Sequence, residues 1–139
     1  MIHQRGFSLI EALIALVVLS VGLLGVAAMQ LKALQSANAG YQRSVASVAA
    51  VDAQERLWAE LANKTCTDIN IESDWETHWF SGSDSNPLRN VNKEGSGIKY
   101  EGNCEFTIMI ELGSRTGDTE SDIFTYTLRL PDLSGDDDG

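Results

Sequence analysis

Between Phe7 and Met29 the chain carries one charge, Glu11. The stretch from Gly6 to Gln30, GFSLIEALIALVVLSVGLLGVAAMQ, is otherwise almost wholly apolar or small. At ~1.5 Å rise per residue, a helix of this length crosses a ~30 Å hydrocarbon core. The run therefore predicts a membrane-spanning helix rather than the core helix of a soluble domain. Glu11 is the anomaly in it. A carboxylate at the centre of a span costs roughly 2.5–3.5 kcal/mol on insertion scales. Near the end of the run the cost is smaller, but the group still requires a partner.

The remainder of the 139 residues is enough for one small domain and not for two. Charge is acidic, 20 Asp and Glu against 10 Lys and Arg. No cluster of basic residues is present to neutralise phosphates, so no direct nucleic-acid partner is expected. The mean hydropathy near zero hides an apolar first third and a polar remainder.

Both cysteines, Cys66 and Cys104, follow the apolar run. In a reducing compartment two isolated cysteines are free thiols. On the far side of a membrane a disulfide is favoured. Such a bridge closes a long loop and adds about 4 kcal/mol in the chain-entropy model.

Met1 to Gly6, MIHQRG, is short and polar, with Arg5 as its basic residue. A secretory signal also starts basic and turns apolar, but its apolar core is shorter and a cleavage site follows it. The bland alternative is an uncleaved signal anchor with a cytoplasmic N-terminus. Arg5 and Lys32 flank the span and nearly balance, so charge orients it weakly.

Gly6-Phe7-Ser8-Leu9-Ile10-Glu11 resembles the N-terminal signal of type IV prepilins and pseudopilins. Those proteins carry a short basic leader ending in Gly, then Phe, then a glutamate at the fifth position of the mature chain. The resemblance implies cleavage between Gly6 and Phe7 by a prepilin peptidase and methylation of the new Phe7 amine. It also implies that Glu11 faces the positively charged N-terminus of a neighbouring subunit. A carboxylate in an apolar bundle is tolerable beside such a cation. A snorkelling Glu11 at headgroup level explains its tolerance but not its place in the motif.

Helical periodicity continues past Gln30. Leu31, Leu34, Tyr41, Val45, Val48 and Val51 recur at steps of three, four or seven and predict one apolar face. Gln35, Asn38, Gln42, Arg43 and Ser47 lie largely off it, and Leu57, Trp58 and Leu61 extend the pattern. No proline interrupts the chain between Phe7 and Pro87. Gly22, Gly25 and Gly40 weaken the helix by roughly 1 kcal/mol each and permit gentle bending. Many major pilins have a proline early in this helix; this chain has none. An end near Ala62 and Asn63 is expected, giving a helix on the order of 80 Å long. Asn63-Lys64-Thr65 also fits a glycosylation acceptor, but helix termination explains it better.

Asp74 to Phe80, DWETHWF, concentrates aromatic rings. Trp75, His78 and Trp79 share a face if the piece is helical, and an aromatic plug over the helix or sheet is expected. A contact surface for another subunit is the sharper reading. Ser81 to Asn86 and Asn92 to Gly97 read as loops around Pro87. From Cys104 the period becomes two. Cys104, Phe106, Ile108, Ile110 and Leu112 alternate with Glu105, Thr107 and Glu111. Phe124, Tyr126, Leu128 and Leu130 alternate with Thr125, Thr127 and Arg129. An antiparallel hairpin with one apolar face follows, its link being Gly113 to Asp118. Ile98-Lys99-Tyr100 adds a short third strand. The amphipathic half of the helix is the natural cover for that face.

The expected fold is thus α+β: a long N-terminal helix on a small antiparallel sheet, as in type IV pilins. The expected divisions are a leader at 1–6, a transmembrane and assembly segment at 7–30, an amphipathic helical segment at 31–63, a soluble region at 64–131 and an acidic tail at 132–139. A Cys66–Cys104 bridge would tie the helix end to the sheet. Ser134 to Gly139 lacks the fixed geometry of a calcium site, although loop carboxylates bind calcium in some relatives. His78 is the only histidine after the leader, which argues against a zinc site. With no phosphate loop, metal cluster or activated nucleophile in the pattern, neither enzyme activity nor a cofactor is expected.

Ala15 to Gly25, Met29-Gln30 and Asp52 to Leu57 are most similar to the PilV group of minor pilins. That resemblance covers about the first 62 residues. It implies a minor pilin that primes assembly of a bacterial type IV pilus. Its partners would be other minor pilins, the major pilin, the prepilin peptidase and the inner-membrane assembly platform. The location implied is a single pass through the inner membrane with a periplasmic C-terminal domain, then the fibre. A type II secretion pseudopilin shares every N-terminal element, and a plain membrane-anchored protein is the third reading.

Overall fold

The computed structural model describes residues 8–81, 86–88, 91–114 and 121–133. Helix α1 spans Leu9–Leu61, α2 spans Glu72–Phe80, and three strands follow: β1 Asn92–Gly102, β2 Glu105–Ser114 and β3 Ser121–Arg129. The chain divides into two compact units, residues 1–38 and 39–139.

In the first unit α1 starts where the Ser8 carbonyl accepts the Glu11 and Ala12 amides, at 2.9 and 3.3 Å. Glu11 lies in the first turn, where a carboxylate complements the helix dipole. The Ser20 hydroxyl donates 2.8 Å to the Val17 carbonyl, so this polar group is satisfied within the helix.

In the second unit, α1 closes with the Asn63 and Lys64 amides both donating to the Glu60 carbonyl at 3.0 Å. Lys64 also pairs with the Glu60 carboxylate at 2.5 Å. Ahead of α2, the Asn70 side-chain oxygen accepts the Glu72 amide at 3.3 Å. Glu72 and Asp74 then place negative charge in the first turn of α2. The sheet order is β1-β2-β3, antiparallel throughout. Phe106 pairs with Leu128, Ile108 with Tyr126 and Ile110 with Phe124, which aligns the apolar positions of β2 and β3 on one face.

The core joins that face to α1 and α2. Phe106, Ile108, Ile110 and Leu112 are buried with Ala46, Ala49, Ala50, Ala53, Leu57 and Leu61 of α1 and Trp75, Trp79 and Phe80 of α2. Phe124, Tyr126 and Leu128 pack against this cluster. The fold is α+β, a long apolar N-terminal helix with a small three-stranded antiparallel sheet. It agrees with the type IV pilin architecture.

Four details differ from the pattern-based expectations. The inward face of α1 is alanine-rich, while Tyr41, Val48 and Val51 are exposed, as are Leu31 and Leu34 in the first unit. Bulky side chains on the sheet fill the interface, so methyl groups opposite them suffice. Trp58 is likewise exposed although Leu57 is fully buried. In α2 the buried ring set is Trp75, Trp79 and Phe80; His78 is exposed, its ring edge-on to Trp79 at 5.4 Å. Asn92 to Gly97 is the start of β1 rather than a loop. Its pairing with β2 is irregular between Asn92 and Gly97. There the Ser96 hydroxyl accepts the Glu111 amide at 3.0 Å; just past it, Glu72 Oε1 accepts the amide of the regularly paired Ile98 at 3.2 Å. Cys104 does not open a strand. It sits in the β1–β2 turn, where Asn103 and Cys104 have φ of 49° and 59°.

Candidate assembly surface and the second unit

Through the first unit the apolar side chains of α1 are uncovered in the single chain. Leu9, Ile10, Leu13, Ile14, Leu16 and Val17 are all exposed, and the same holds at Leu23, Leu24 and Met29. None of the most apolar 18-residue window is buried. A soluble protein does not leave a helix apolar all round in water. By length and composition α1 is able to cross a membrane. Around Glu11 the exposed neighbours are Ile10 and Ile14, with Leu9 before them. Among the described residues the Glu11 carboxylate therefore lies next to apolar side chains, where a charge is costly. Gly6 and Phe7, the expected cleavage and methylation positions, lie outside the described residues. So does Ser134 to Gly139.

The second unit is held by polar contacts that fix its elements. The Trp75 indole donates to the Ala49 carbonyl at 2.9 Å, and the Trp79 indole donates to Asp52 Oδ2 at 2.9 Å. The same Asp52 oxygen accepts Arg56 Nε at 2.8 Å. Tyr126 on β3 donates to the Gln54 side chain at 2.5 Å. Arg43 grips the Asp122 carboxylate through Nε at 3.1 Å and Nη2 at 2.7 and 2.9 Å. That hydrogen bonding first, and the opposite charge second, raise the Arg43 guanidinium above its ordinary value.

Cys66 and Cys104 are joined by a disulfide, with Cα atoms 5.4 Å apart. The link ties the segment after α1 to the β1–β2 turn. Sequence patterning did not single out Asp132. A carboxylate oxygen of this residue and the two sulfurs all lie within 4.8 Å of one another. Nor did patterning single out Glu72, whose carboxylate accepts an amide of β1. Neither role has a local signature, because each partner is more than twenty residues away.

The N-terminal geometry has a counterpart among known families. Residues 1–27 match the prokaryotic N-terminal methylation motif. The match spans Gly6, Phe7, Glu11 and most of the uncovered part of α1. It supports a protein of the type IV pilin or pseudopilin kind, and the motif implies processing by a prepilin peptidase. Together with the apolar helix it supports membrane anchoring, with the remaining residues forming a globular C-terminal domain. No curated protein and no solved structure matches the chain.

Proposed function

We propose that this chain is a minor pilin of a bacterial type IV pilus, of the PilV-like group, that acts in the initiation of fibre assembly. The observation that carries the reading is the N-terminal methylation motif overlapping an apolar helix whose most apolar 18-residue window is wholly uncovered. Residues 1–6 are the leader. Cleavage between Gly6 and Phe7 and methylation of the Phe7 amine prepare the mature N-terminus. Residues 7–30 hold the chain in the inner membrane until assembly, with the C-terminal domain in the periplasm. Residues 31–63 continue the helix, and 64–131 supply partner specificity. Residues 132–139 form an acidic tail.

In the assembled fibre Glu11 pairs with the N-terminus of an adjacent subunit. A desolvated carboxylate with no cation is strongly disfavoured, so this pairing sets the axial register as apolar helices pack. The partners are other minor pilins, the major pilin and the inner-membrane assembly platform. The role is mechanical. The chain is a substrate of the peptidase and not itself an enzyme, and it requires no cofactor.

Mass spectrometry of the mature protein tests the first step. A chain starting at a methylated Phe7 is expected; an intact Met1, or cleavage elsewhere, overturns the proposal. Deletion of the gene tests the system. Loss of surface pili and twitching is expected, whereas lost protein secretion with intact pili assigns the chain to a type II secretion pseudopilus. Glu11→Ala is expected to leave cleavage intact and to impair incorporation into fibres. Normal incorporation would remove the charge-pairing role.

A further inference from the structure

The two edges of the sheet differ. The Leu130 amide donates to the Cys104 carbonyl at 2.9 Å, which sets the alternation of the antiparallel β2–β3 pair. On that alternation Phe124, Tyr126 and Leu128 exchange hydrogen bonds with Ile110, Ile108 and Phe106 of β2. The amides and carbonyls of Ile123, Thr125, Thr127 and Arg129 therefore turn away from β2. The intervening residues of β2 serve β1, so Ile98 of β1 turns outward on the other side. There the Glu72 carboxylate already takes the Ile98 amide. The pairing of β1 is also irregular before Gly97. Both features close an edge to further strands. From Ile123 to Arg129, β3 has neither: its register against β2 is regular, and it contains no proline, lysine or glycine. Among the described residues no strand lies beyond it. Burial agrees. The inward side chains Phe106, Ile108 and Ile110 of β2 are buried, whereas Phe124, Tyr126 and Leu128 of β3 are only half-buried.

We propose that β3 pairs antiparallel with β3 of a second copy of this chain, about a two-fold axis at Thr125. Strand length selects this occupant first. Thr125 is the midpoint of the nine-residue Ser121–Arg129 strand and is one of its outward residues. Thr125 then faces Thr125, Ile123 faces Thr127 and Ser121 faces Arg129, so the whole strand is used. The edges select it again. Head-to-tail addition of identical sheets needs the β1 edge, where Glu72 holds the Ile98 amide, so a closed two-fold pair is the arrangement left. Charge sets the direction. Arg129 is exposed, its Nε donates to the Asn103 carbonyl at 3.1 Å, and no carboxylate pairs with it among the described residues. Parallel pairing in register would place two Arg129 side by side, whereas antiparallel pairing sets each opposite uncharged Ser121. Two three-stranded sheets thereby become one continuous sheet. Ile123, 51 % exposed in the single chain, gains Thr127 as a cross-strand neighbour, and Phe124, Tyr126 and Leu128 gain cover. Main-chain hydrogen bonds supply the affinity. The pairing lies within the second unit and does not rest on the role proposed for the N-terminal helix.

The experiment uses the full chain in a neutral detergent under mild oxidation and compares Thr125→Cys with Thr127→Cys. In the two-fold register the Cα atoms at position 125 are about 5.5 Å apart, within disulfide reach, whereas those at position 127 are roughly 15 Å apart. Thr125→Cys is expected to give at least about fivefold more covalent dimer than Thr127→Cys on a non-reducing gel. Equal yields, or a preference for Thr127→Cys, overturn the proposal. Analytical ultracentrifugation gives a second measure. The unchanged chain is expected to sediment as a dimer and Thr125→Pro as a monomer. The Thr125 amide turns away from β2, so the sheet tolerates proline there, and near-ultraviolet circular dichroism checks that the second unit stays folded. Association through the apolar helix alone would survive Thr125→Pro and overturns the proposal. A monomeric unchanged chain overturns it too. Should Thr125→Pro unfold the second unit, the cysteine comparison still decides.

Discussion

The indole Nε1 of Trp75 donates a 2.9 Å hydrogen bond to the main-chain carbonyl of Ala49, across 26 positions of sequence. Trp75 is fully buried, and it joins α2 to the face of α1 where the buried residues Ala46, Ala49, Ala50 and Ala53 carry only methyl groups. Trp75→Phe removes this bond and part of the ring volume. It is expected to destabilise the second unit by about 1–2 kcal/mol. Trp75→Ala leaves a cavity and costs about 3–5 kcal/mol. Denaturant unfolding of the full chain in detergent, followed by near-ultraviolet circular dichroism, checks both. A midpoint unchanged in Trp75→Ala contradicts the assignment of α2 to the core.

Periodicity was a good guide where one face of an element is buried by side chains of similar size. β2 and β3 satisfy that condition. Phe106, Ile108 and Ile110 are buried as the alternation predicts, and β3 alternates exposed and half-buried positions along its length. The methylation motif was legible for another reason: its chemistry is contiguous in the chain. The orientation of α1 in the second unit was not legible. Hydrophobic weighting favours Tyr41, Val48 and Val51 over alanine, but the interface selects by fit and fills its volume from the sheet side. The early part of β1 was hidden because Ser96 supports it at an irregular pairing position, and Glu72, from a distant helix, accepts the Ile98 amide next to it. Asp132 was hidden because only the tertiary fold brings it to the disulfide.

The alanine face gives a direct test of that misreading. Ala50 and Ala53 are essentially buried, whereas Val48 is 60 % exposed. Ala50→Leu or Ala53→Leu adds bulk where the sheet already fills the space and is expected to cost about 1–3 kcal/mol. Val48→Ala removes an exposed side chain and is expected to stay within about 0.5 kcal/mol. Sequence patterning alone predicts the opposite ranking. Chemical denaturation of the three variants decides between the two.

Arg43 and Asp122 form a fork of hydrogen bonds at the solvent edge of the second unit. Arg43→Lys keeps the charge but loses the planar, two-pronged geometry. A small loss of stability is expected, shrinking in about 1 M salt. The raised Arg43 value sets the sign of its pH dependence. A raised cationic group contributes fully below its unfolded value, and the contribution fades only as pH rises through the folded value. Both lie well above the neutral range, the folded value the higher of the two. The stability difference between Arg43→Lys and the unchanged protein, read from thermal unfolding, is therefore expected to stay level between about pH 6 and 9.

Cys104 combines two constraints, a left-handed backbone with φ of 59° and the bond to Cys66. Asn103 before it has φ of 49°, and Gly102 pairs with Glu105 across the turn. Two consecutive left-handed residues between paired strands are the mark of a tight hairpin turn that favours Asn followed by Gly. The second position here holds cysteine, whose Cβ is disfavoured in this region by roughly 1–2 kcal/mol. Removing the bridge as Cys66→Ala with Cys104→Ala is expected to cost about 2–5 kcal/mol, since the disulfide is lost and the backbone conflict stays. Cys66→Ala with Cys104→Gly loses the same bond but relieves the conflict. The glycine variant is expected to be the more stable of the two by about 1 kcal/mol, despite the greater unfolded-state entropy of glycine. Unfolding midpoints of the two double variants measure the difference. Equal midpoints, or a more stable alanine variant, would show that this backbone position carries no left-handed preference and that the bridge contributes only as a loop closure.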